Sequence, residues 1–168
     1  ASALGIVAGA RGKVALDALR RGLAAISGDA HVLVDPDALL PFGKDETHGL
    51  TPVLPDAVVH VGSTQEVRDV LALCTRLGVP VTPRGAGSGR SGGCVPAHGG
   101  VVMTLTRMNR ILEIHPGDSV TVVEPGVILG QLQEAVEAEG FFYPPDPASL
   151  SWCTMGGNVA EMPAARAR

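Results

Sequence analysis

The 168-residue sequence predicts an α+β fold, in which a small parallel βαβ unit is followed by an antiparallel meander with helices. Three observations predict this class. The chain is 45% hydrophobic and 18% charged, so it can bury an aliphatic core, and general disorder is excluded. A strand, a capped helix and a second strand follow one another between residues 57 and 81. Short strands at close intervals then begin after Gly100.

The first 54 residues predict one helix and a loop-rich segment. Apolar residues recur at helical spacing over residues 13–26, so we expect a helix there that ends at Gly28. Several prolines and glycines interrupt residues 39–55 and favour loop structure. We therefore expect this N-terminal part to precede a main domain that occupies residues 55–168.

The main domain begins with a predicted strand–helix–strand unit. Three valines among residues 58–61 favour a strand, and Ser63 and Glu66 form a capping box in which each side chain accepts from the other residue's main-chain N–H. The helix that begins there ends at Gly78, and a second strand is expected at residues 79–81. Because a helix connects the two strands, we expect them to be parallel neighbours.

After this unit, the sequence predicts short strands at close spacing instead of a strand–helix–strand pattern. Residues 101–106, 111–114 and 120–124 predict three strands, and their short connections favour an antiparallel meander. An apolar helical stripe follows and is terminated by Gly140.

Composition excludes several function classes. The net charge is −4 and only five residues are aromatic, so the chain lacks both the basic footprint and the stacking platforms of a nucleic-acid-binding protein. The apolar stretch at residues 3–10 is too short for a membrane span and has no basic region before it. We therefore expect neither a nucleic-acid partner nor a membrane span.

The three cysteines predict a reducing compartment. Cys74, Cys94 and Cys153 are odd in number and widely spaced, which argues against a disulfide framework and against a zinc site. Cys74 lies in the apolar stripe of the predicted helix, so we expect it to be packed in the core rather than reactive. These features predict a cytoplasmic protein.

The densest feature is a glycine loop, residues 83–93, which directly follows the second strand of the βαβ unit. Five of its eleven residues are glycine. Glycine adopts positive φ and has no side chain to hold a ligand away, so successive main-chain N–H groups can converge on phosphate oxygens. An anion, in the form of a diphosphate, is the expected ligand.

Three other interpretations of the loop are a nicotinamide dinucleotide site, a Walker loop and a simple connector. Gly87, Gly89 and Gly92 match the dinucleotide fingerprint G-x-G-x-x-G, but residues 95–100 contain a proline and a glycine pair and cannot supply the helix that a nicotinamide site requires. A Walker loop is excluded because neither lysine of the chain follows a suitable glycine. A connector in which glycine only solves backbone geometry is the third interpretation.

A second glycine-containing turn favours ligand binding over a mere connector. Residues 143–149 form a proline-rich, rigid segment that leads into a second turn, residues 153–158. This turn also offers main-chain N–H groups and a hydroxyl group. Two such turns on either side of one meander indicate a long ligand that the protein contacts twice.

Four ordered motifs carry a family resemblance. They are PRGAGSG with SGG in the glycine loop, VEPGV at 123–127, YPPDPAS at 143–149 and GGNVAE at 156–161. With them, residues 55–161 resemble the FAD-binding domain of the vanillyl-alcohol-oxidase and p-cresol-methylhydroxylase (PCMH) flavoprotein superfamily, nearest to the branch that contains glycolate oxidase and D-lactate dehydrogenase. FGKDET at 42–47 also resembles that family. The resemblance implies a PCMH-type FAD-binding fold.

The resemblance also implies a cofactor and the residues that bind it. FAD is expected to be noncovalent, because Ser88 stands where some relatives carry the histidine that attaches the flavin. The sequence leaves open whether Arg84 and Arg90 neutralise the diphosphate or lie exposed on the surface. The implied cofactor-binding residues are Pro83, Arg84, Gly85, Ala86, Gly87, Ser88, Gly89, Ser91 and Gly92 in the glycine loop, and Pro147, Ser149, Thr154, Gly156 and Gly157 in the second region.

The function implied by the resemblance is FAD-dependent oxidation of a 2-hydroxy acid of the glycolate or D-lactate type, with electrons passing to an acceptor or to a partner protein. No residue is assigned as catalytic and no metal is expected, because each histidine occurs singly (His31, His48, His60, His98 and His115).

The end of the sequence departs from the family pattern. Residues 162–168 do not continue the family's pattern, so we expect the groups that place a substrate over the flavin to be missing from this sequence. We therefore expect no turnover by this chain alone. A noncatalytic or inactive truncated flavin-binding module remains an alternative, as does a nucleotide-dependent enzyme with another phosphate ligand.

Overall fold

In the computed structural model, residues 13–161 of the protein are described, with side chains from residue 16 onward. The chain forms helices and short strands, with single 3₁₀ turns at Asp29–His31, Leu40–Gly43 and Pro116–Asp118. The helices are α1 (Lys13–Ser27), α2 (Pro36–Leu39), α3 (Thr64–Leu77), α4 (Leu129–Ala138) and α5 (Met155–Glu161), and the strands are β1 (Val32–Leu33), β2 (Ala57–His60), β3 (Val81–Arg84), β4 (Val101–Thr104), β5 (Ile111–His115) and β6 (Val120–Val123).

The predicted βαβ unit belongs to a four-stranded sheet with the order β1-β2-β4-β3. β2 and β3 both run parallel to β4, and β1 pairs antiparallel with β2. The parallel orientation of the two strands is therefore confirmed. The expectation that they are neighbours is wrong, because β4 lies between them and Met103 pairs with Val59 on one side and Pro83 on the other.

The predicted three-stranded meander is also corrected, although the α+β class is confirmed. Of the three predicted strands, only β5 and β6 pair with each other, antiparallel, in a separate two-stranded sheet with an irregularity between Ile111 and Glu113, whereas β4 belongs to the four-stranded sheet. All four residues of β4 are buried, as expected for a central parallel strand with both faces covered. β6, by contrast, alternates between exposed and half-buried residues, as a strand with one open face does.

Two layers cover the parallel sheet. On one face, Leu19 and Leu23 of α1 pack with Val70 and Cys74 of α3 in the largest hydrophobic cluster, so the buried position expected for Cys74 is confirmed. On the other face, buried Leu39, Val58 and Val102 form a cluster with half-buried Phe42 and Leu54. The loop-rich segment upstream of β2 thus completes the core.

The ends of α3 follow the sequence signals with one difference. Ser63 Oγ accepts from the N–H of Glu66 at 3.2 Å, but Glu66 Oε2 accepts from the N–H of Gly62 at 3.0 Å rather than from Ser63. Gly78 has a φ of 61° and ends the helix as predicted. The strand that follows begins at Val81, two residues later than expected.

The β5–β6 hairpin and α4 surround a second hydrophobic cluster. Leu129, Leu132 and Val136 of α4 are buried there against Cys153 and Met155. Gly140, with a φ of 79°, follows the end of this helix. No helix within residues 13–161 combines the length and the apolar character that a membrane crossing requires.

Candidate functional site

A cavity of about 720 Å³ lies between the glycine loop and the second turn. The loop starts at the carboxyl end of β3, the edge of a parallel sheet where ligands commonly bind. Of the implied cofactor-binding residues, all but Gly92 line the cavity: Pro83, Arg84, Gly85, Ala86, Gly87, Ser88, Gly89, Ser91, Pro147, Ser149, Thr154, Gly156 and Gly157. The structure therefore brings the two turns together at one cavity.

Main-chain hydrogen bonds hold the second turn in place. Thr154 forms an isolated antiparallel bridge with Ile128. The N–H of Met155 donates to the carbonyl of Val127 at 2.8 Å, and that of Gly156 donates to Pro125 at 2.8 Å. The turn is thus attached to the start of α4 and packs on the second hydrophobic cluster.

The glycine loop presents main-chain donors that have no acceptor in the protein. Within the described part of the chain, no N–H group of residues 85–91 donates a hydrogen bond. Five of these seven groups, those of residues 85–89, belong to half-buried residues that line the cavity, whereas Arg90 and Ser91 are exposed. Half-buried N–H groups are normally paired, so these five call for acceptors from a ligand. Diphosphate oxygens supply such acceptors.

Glycine is sterically required at two points of this loop. A Cβ at Gly85 would collide with Thr154 Oγ1 of the opposite wall. Gly87 has a φ of 80°, and a Cβ there would collide with the guanidinium of Arg84. These glycines let the main chain approach the second turn and fold around Arg84.

Thr154 provides a second unpaired polar group at the cavity. Its Oγ1 is buried and has no hydrogen-bond partner among the described residues, although the residue is only 2% exposed. Burying a hydroxyl group without a partner is costly, so this oxygen also calls for a ligand donor or acceptor. The donor set of the site therefore fits an extended, polar, phosphate-bearing cofactor.

The cavity wall also holds a buried positive charge. Arg84 is 9% exposed, and its Nη1 donates to the carbonyl of Lys44 at 2.8 Å and to Cys94 Sγ at 3.2 Å. Its guanidinium lies 5.6 Å from the ring centre of Phe42. Among the described residues, no carboxylate comes within ion-pair distance of it, so its charge is available to an anion in the cavity. Arg90 is exposed.

Gly92 is the implied residue that the structure places away from the cavity. Its N–H donates to Asp45 Oδ2 and to Thr47 Oγ1, both at 2.9 Å, so it faces the segment upstream of β2 instead of the ligand. The cavity lining also includes residues that sequence reasoning did not assign. These are Gly93, Cys94, Leu105, Pro125, Cys153, Asn158, Ala160 and Glu161.

Some of the unassigned residues carried a signal in the sequence. Pro125, Asn158, Ala160 and Glu161 belong to the quoted motifs, whereas Cys94 and Leu105 lie outside all of them. Glu161 Oε1 accepts from Ser91 Oγ at 2.7 Å across the mouth of the cavity. Burial raises the pKa of the Cys94 thiol although Arg84 opposes this, so the thiol is protonated at neutral pH.

No histidine lines the cavity within the described residues. His60 lies at the end of β2, where its Nδ1 is 2.6 Å from Thr104 Oγ1 and its ring packs edge-on against Phe42. His60 is thus hydrogen-bonded and packed within the fold rather than placed in the cavity lining. The described residues contain no group of three or more His, Cys, Asp or Glu that could hold a metal ion.

Comparison with known proteins identifies relatives of the chain. It is 44% identical over 108 residues to the GlcD subunit of glycolate oxidase from Bacillus subtilis, covering 64% of this chain and 23% of that protein. It is 40% identical over 129 residues to D-lactate dehydrogenase of Anaerostipes hadrus, covering 77% and 27%. A D-2-hydroxyglutarate dehydrogenase of Stutzerimonas stutzeri is 38% identical over 128 residues, covering 76% and 27%. The chain thus spans about a quarter of the length of these relatives.

Solved structures show the same fold. p-Cresol methylhydroxylase superposes with a TM-score of 0.79 at 24% identity, over 95% of this chain and 31% of that one. 4-Ethylphenol oxidase from Gulosibacter chungangensis superposes with a TM-score of 0.76 at 28% identity, over 93% and 31%. The sequence model of a protein family described as the FAD binding domain matches residues 55–165, well over half of the chain. With its PCMH-type α+β fold, the chain belongs to this family of FAD-binding domains.

Proposed function

We propose that the chain is the N-terminal part of the cofactor-binding domain of an FAD-dependent oxidoreductase that acts on 2-hydroxy acids of the glycolate or D-lactate type. The run of unpaired N–H groups at half-buried residues 85–89, in a cavity that the second turn also lines, carries this proposal. The domain division at residue 55 and the location in the cytoplasm stay predictions.

The names of the relatives support the substrate class. Glycolate, D-lactate and D-2-hydroxyglutarate all carry a hydroxyl group on the carbon next to a carboxylate. Bound FAD supplies hydride acceptance in such an oxidation. Since these relatives are about four times as long as the region matched, the groups that bind the substrate are expected outside this chain, as are the electron acceptor and any partner subunit.

The residues of this chain would hold the cofactor and exclude water. The glycine loop would donate main-chain N–H groups to the diphosphate, with Arg84 adding positive charge behind it. Ser88 lines the cavity where attachment through a histidine would need an imidazole, so the proposed binding is noncovalent. Pro147, Ser149, Thr154, Gly156 and Gly157 would line the rest of the cofactor channel.

Titration of the purified chain with FAD tests the proposal. We expect saturable quenching of flavin fluorescence, a yellow protein after gel filtration, and release of all flavin on denaturation. Flavin that stays with the denatured protein would contradict noncovalent binding. A chain that binds ADP or ATP but not FAD would support a nucleotide-dependent enzyme instead.

A second candidate is a flavin-binding module without catalysis. The absence of histidine from the lining within the described residues favours it for this chain in isolation. Glycolate or D-lactate, offered with an artificial electron acceptor to the FAD-loaded chain, separates the two. We expect no turnover by the chain alone, and measurable turnover would show that a catalytic group is present.

A further inference from the structure

We propose that residues 41–47, here called the clasp, shape the glycine loop for diphosphate binding, and that Asp45 and Thr47 are positioning residues for FAD. This inference rests on the proposed function and deepens it. The clasp lies upstream of residues 55–165, the part that matches the FAD binding domain. None of its residues lines the cavity.

The clasp contacts the beginning and the middle of the glycine loop. At the beginning, the buried guanidinium of Arg84 donates to the carbonyls of Lys44, at 2.8 Å, and Pro41, at 3.3 Å. In the middle, the carbonyl of Gly89 accepts from the N–H of Glu46 at 3.0 Å. These bonds join segments separated by about forty residues in sequence.

At the far end of the loop, the clasp supplies two side-chain acceptors. The N–H of Gly92 donates to Asp45 Oδ2 and to Thr47 Oγ1, each at 2.9 Å. Asp45 Oδ1 accepts in addition from the N–H of Thr47 at 2.9 Å, which holds the Asp45 carboxylate against the main chain of Thr47. Gly92 has a φ of 75°, so its conformation depends on glycine as well as on these bonds.

The anchored positions bracket the unpaired donors. Arg84 and Gly92 are held at either end, and the N–H groups of residues 85–91 lie between them. A glycine-rich loop has many accessible conformations, and ordering it weakens binding unless the protein has already ordered it. The clasp therefore acts on FAD affinity by holding the donors in place before the cofactor arrives.

A positioning role for Asp45 can be distinguished from a simple electrostatic effect, because the two predict opposite changes in FAD affinity. Asp45 is negative and touches the end of an anion-binding loop. If its charge alone mattered, Asp45→Asn would tighten the binding of an anionic cofactor. Positioning predicts the opposite, because asparagine offers only one acceptor oxygen for two N–H groups. Thr47→Val removes the second acceptor without any change of charge.

The experiment is a titration of the whole chain with FAD, together with urea unfolding of each variant without FAD. We expect Asp45→Asn and Thr47→Val each to weaken FAD binding about three- to tenfold, and the double variant about thirtyfold. Asp37→Asn is the charge control, since that exposed side chain forms no hydrogen bond within the described residues. Ser63→Ala is the stability control, because it removes the α3 cap at a residue that does not line the cavity.

The outcomes distinguish this inference from the proposed function. A wild-type chain that fails to bind FAD overturns the proposed function. Wild-type binding combined with tighter binding by Asp45→Asn and unchanged binding by Thr47→Val overturns the positioning role alone. Equal weakening by Ser63→Ala would reduce the effect to general destabilisation and also overturn it. Should Asp45→Asn not fold, Thr47→Val decides the question by itself.

Discussion

The two walls of the cavity are built on different principles. The glycine loop contains two glycines with positive φ, at Gly87 and Gly92, and is held by hydrogen bonds to residues 41–47. The second turn is held by packing in addition to main-chain hydrogen bonds, since Cys153, Thr154 and Met155 are each at most 6% exposed and two of them belong to the α4 cluster. Changes in the hydrogen bonds of the glycine loop should therefore act mainly on ligand affinity, and changes that empty the packed core behind the second turn should act mainly on stability.

The largest expected effect concerns the packed wall. Leu129→Ala empties a fully buried position in the α4 cluster and should lower the free energy of unfolding by about 2–5 kcal/mol. Urea unfolding measures this loss, and FAD titration of the folded fraction should show little change in affinity. Leu71→Ala, at a position that is 43% exposed, is the control and should cost far less. A loss of affinity without a loss of stability at Leu129 would reverse the comparison.

The next largest effect is expected at Gly85, where the glycine loop contacts the second turn. Gly85→Ala places a Cβ against Thr154 Oγ1 and should destabilise the protein by about 1–3 kcal/mol through overpacking. FAD affinity should also fall, because the loop must move away from the second turn. The matched control is Gly117→Ala, where a Cβ meets no atom within 4 Å. Similar behaviour of both variants would show that the contact between the walls is unimportant.

Thr154→Val separates ligand binding from stability at a single atom. Replacing a buried, unpaired hydroxyl by a methyl group should leave the free energy of unfolding unchanged or raise it by up to about 1 kcal/mol. FAD affinity should fall several-fold if Oγ1 pairs with the cofactor. Thermal unfolding with and without FAD measures both quantities. A variant with reduced stability and unchanged affinity would assign this hydroxyl to the packing of the second wall.

The smallest expected effects are pH dependences of the free energy of unfolding, and they fall in different pH ranges for His60 and Glu124. Burial, together with the charges of His31 and Arg107, lowers the pKa of His60 below its ordinary value of 6.5. A lowered pKa in the folded state means that the contribution of His60 to stability is complete above pH 6.5 and is lost as the pH falls below it. His60→Gln should flatten this part of the pH profile.

Glu124 precedes Pro125, which lines the cavity, and its pKa is lowered as well. Hydrogen bonds from the side chain and the N–H of Arg110 hold its pKa below 4.5. Its contribution is therefore complete above pH 4.5 and is lost only as the pH falls further, toward its folded-state pKa. This separation is supported if the urea midpoint of the wild type changes more steeply with pH than that of His60→Gln between about pH 5 and 6.5. Parallel profiles would contradict it.

Local signals in the sequence determined most of the elements and much of the site. The Ser63 cap, the Gly78 terminus and the apolar stripe of α3 depend on residues within one or two helical turns, so they could be predicted. The glycine loop and the second turn were found because glycine and proline restrict or free the main chain wherever they stand. The motifs then supplied the family, which the comparison with known proteins confirmed.

Only the tertiary structure decided how these elements associate. The position of β4 between β2 and β3 depends on pairing between segments about twenty to forty residues apart, and its three apolar residues alone fit several sheets. The attachment of Gly92 to Asp45 and Thr47 likewise joins segments forty-five or more residues apart. Sequence patterns report the conformation of neighbouring residues, whereas such long-range contacts form only when the core of the whole domain brings the segments together.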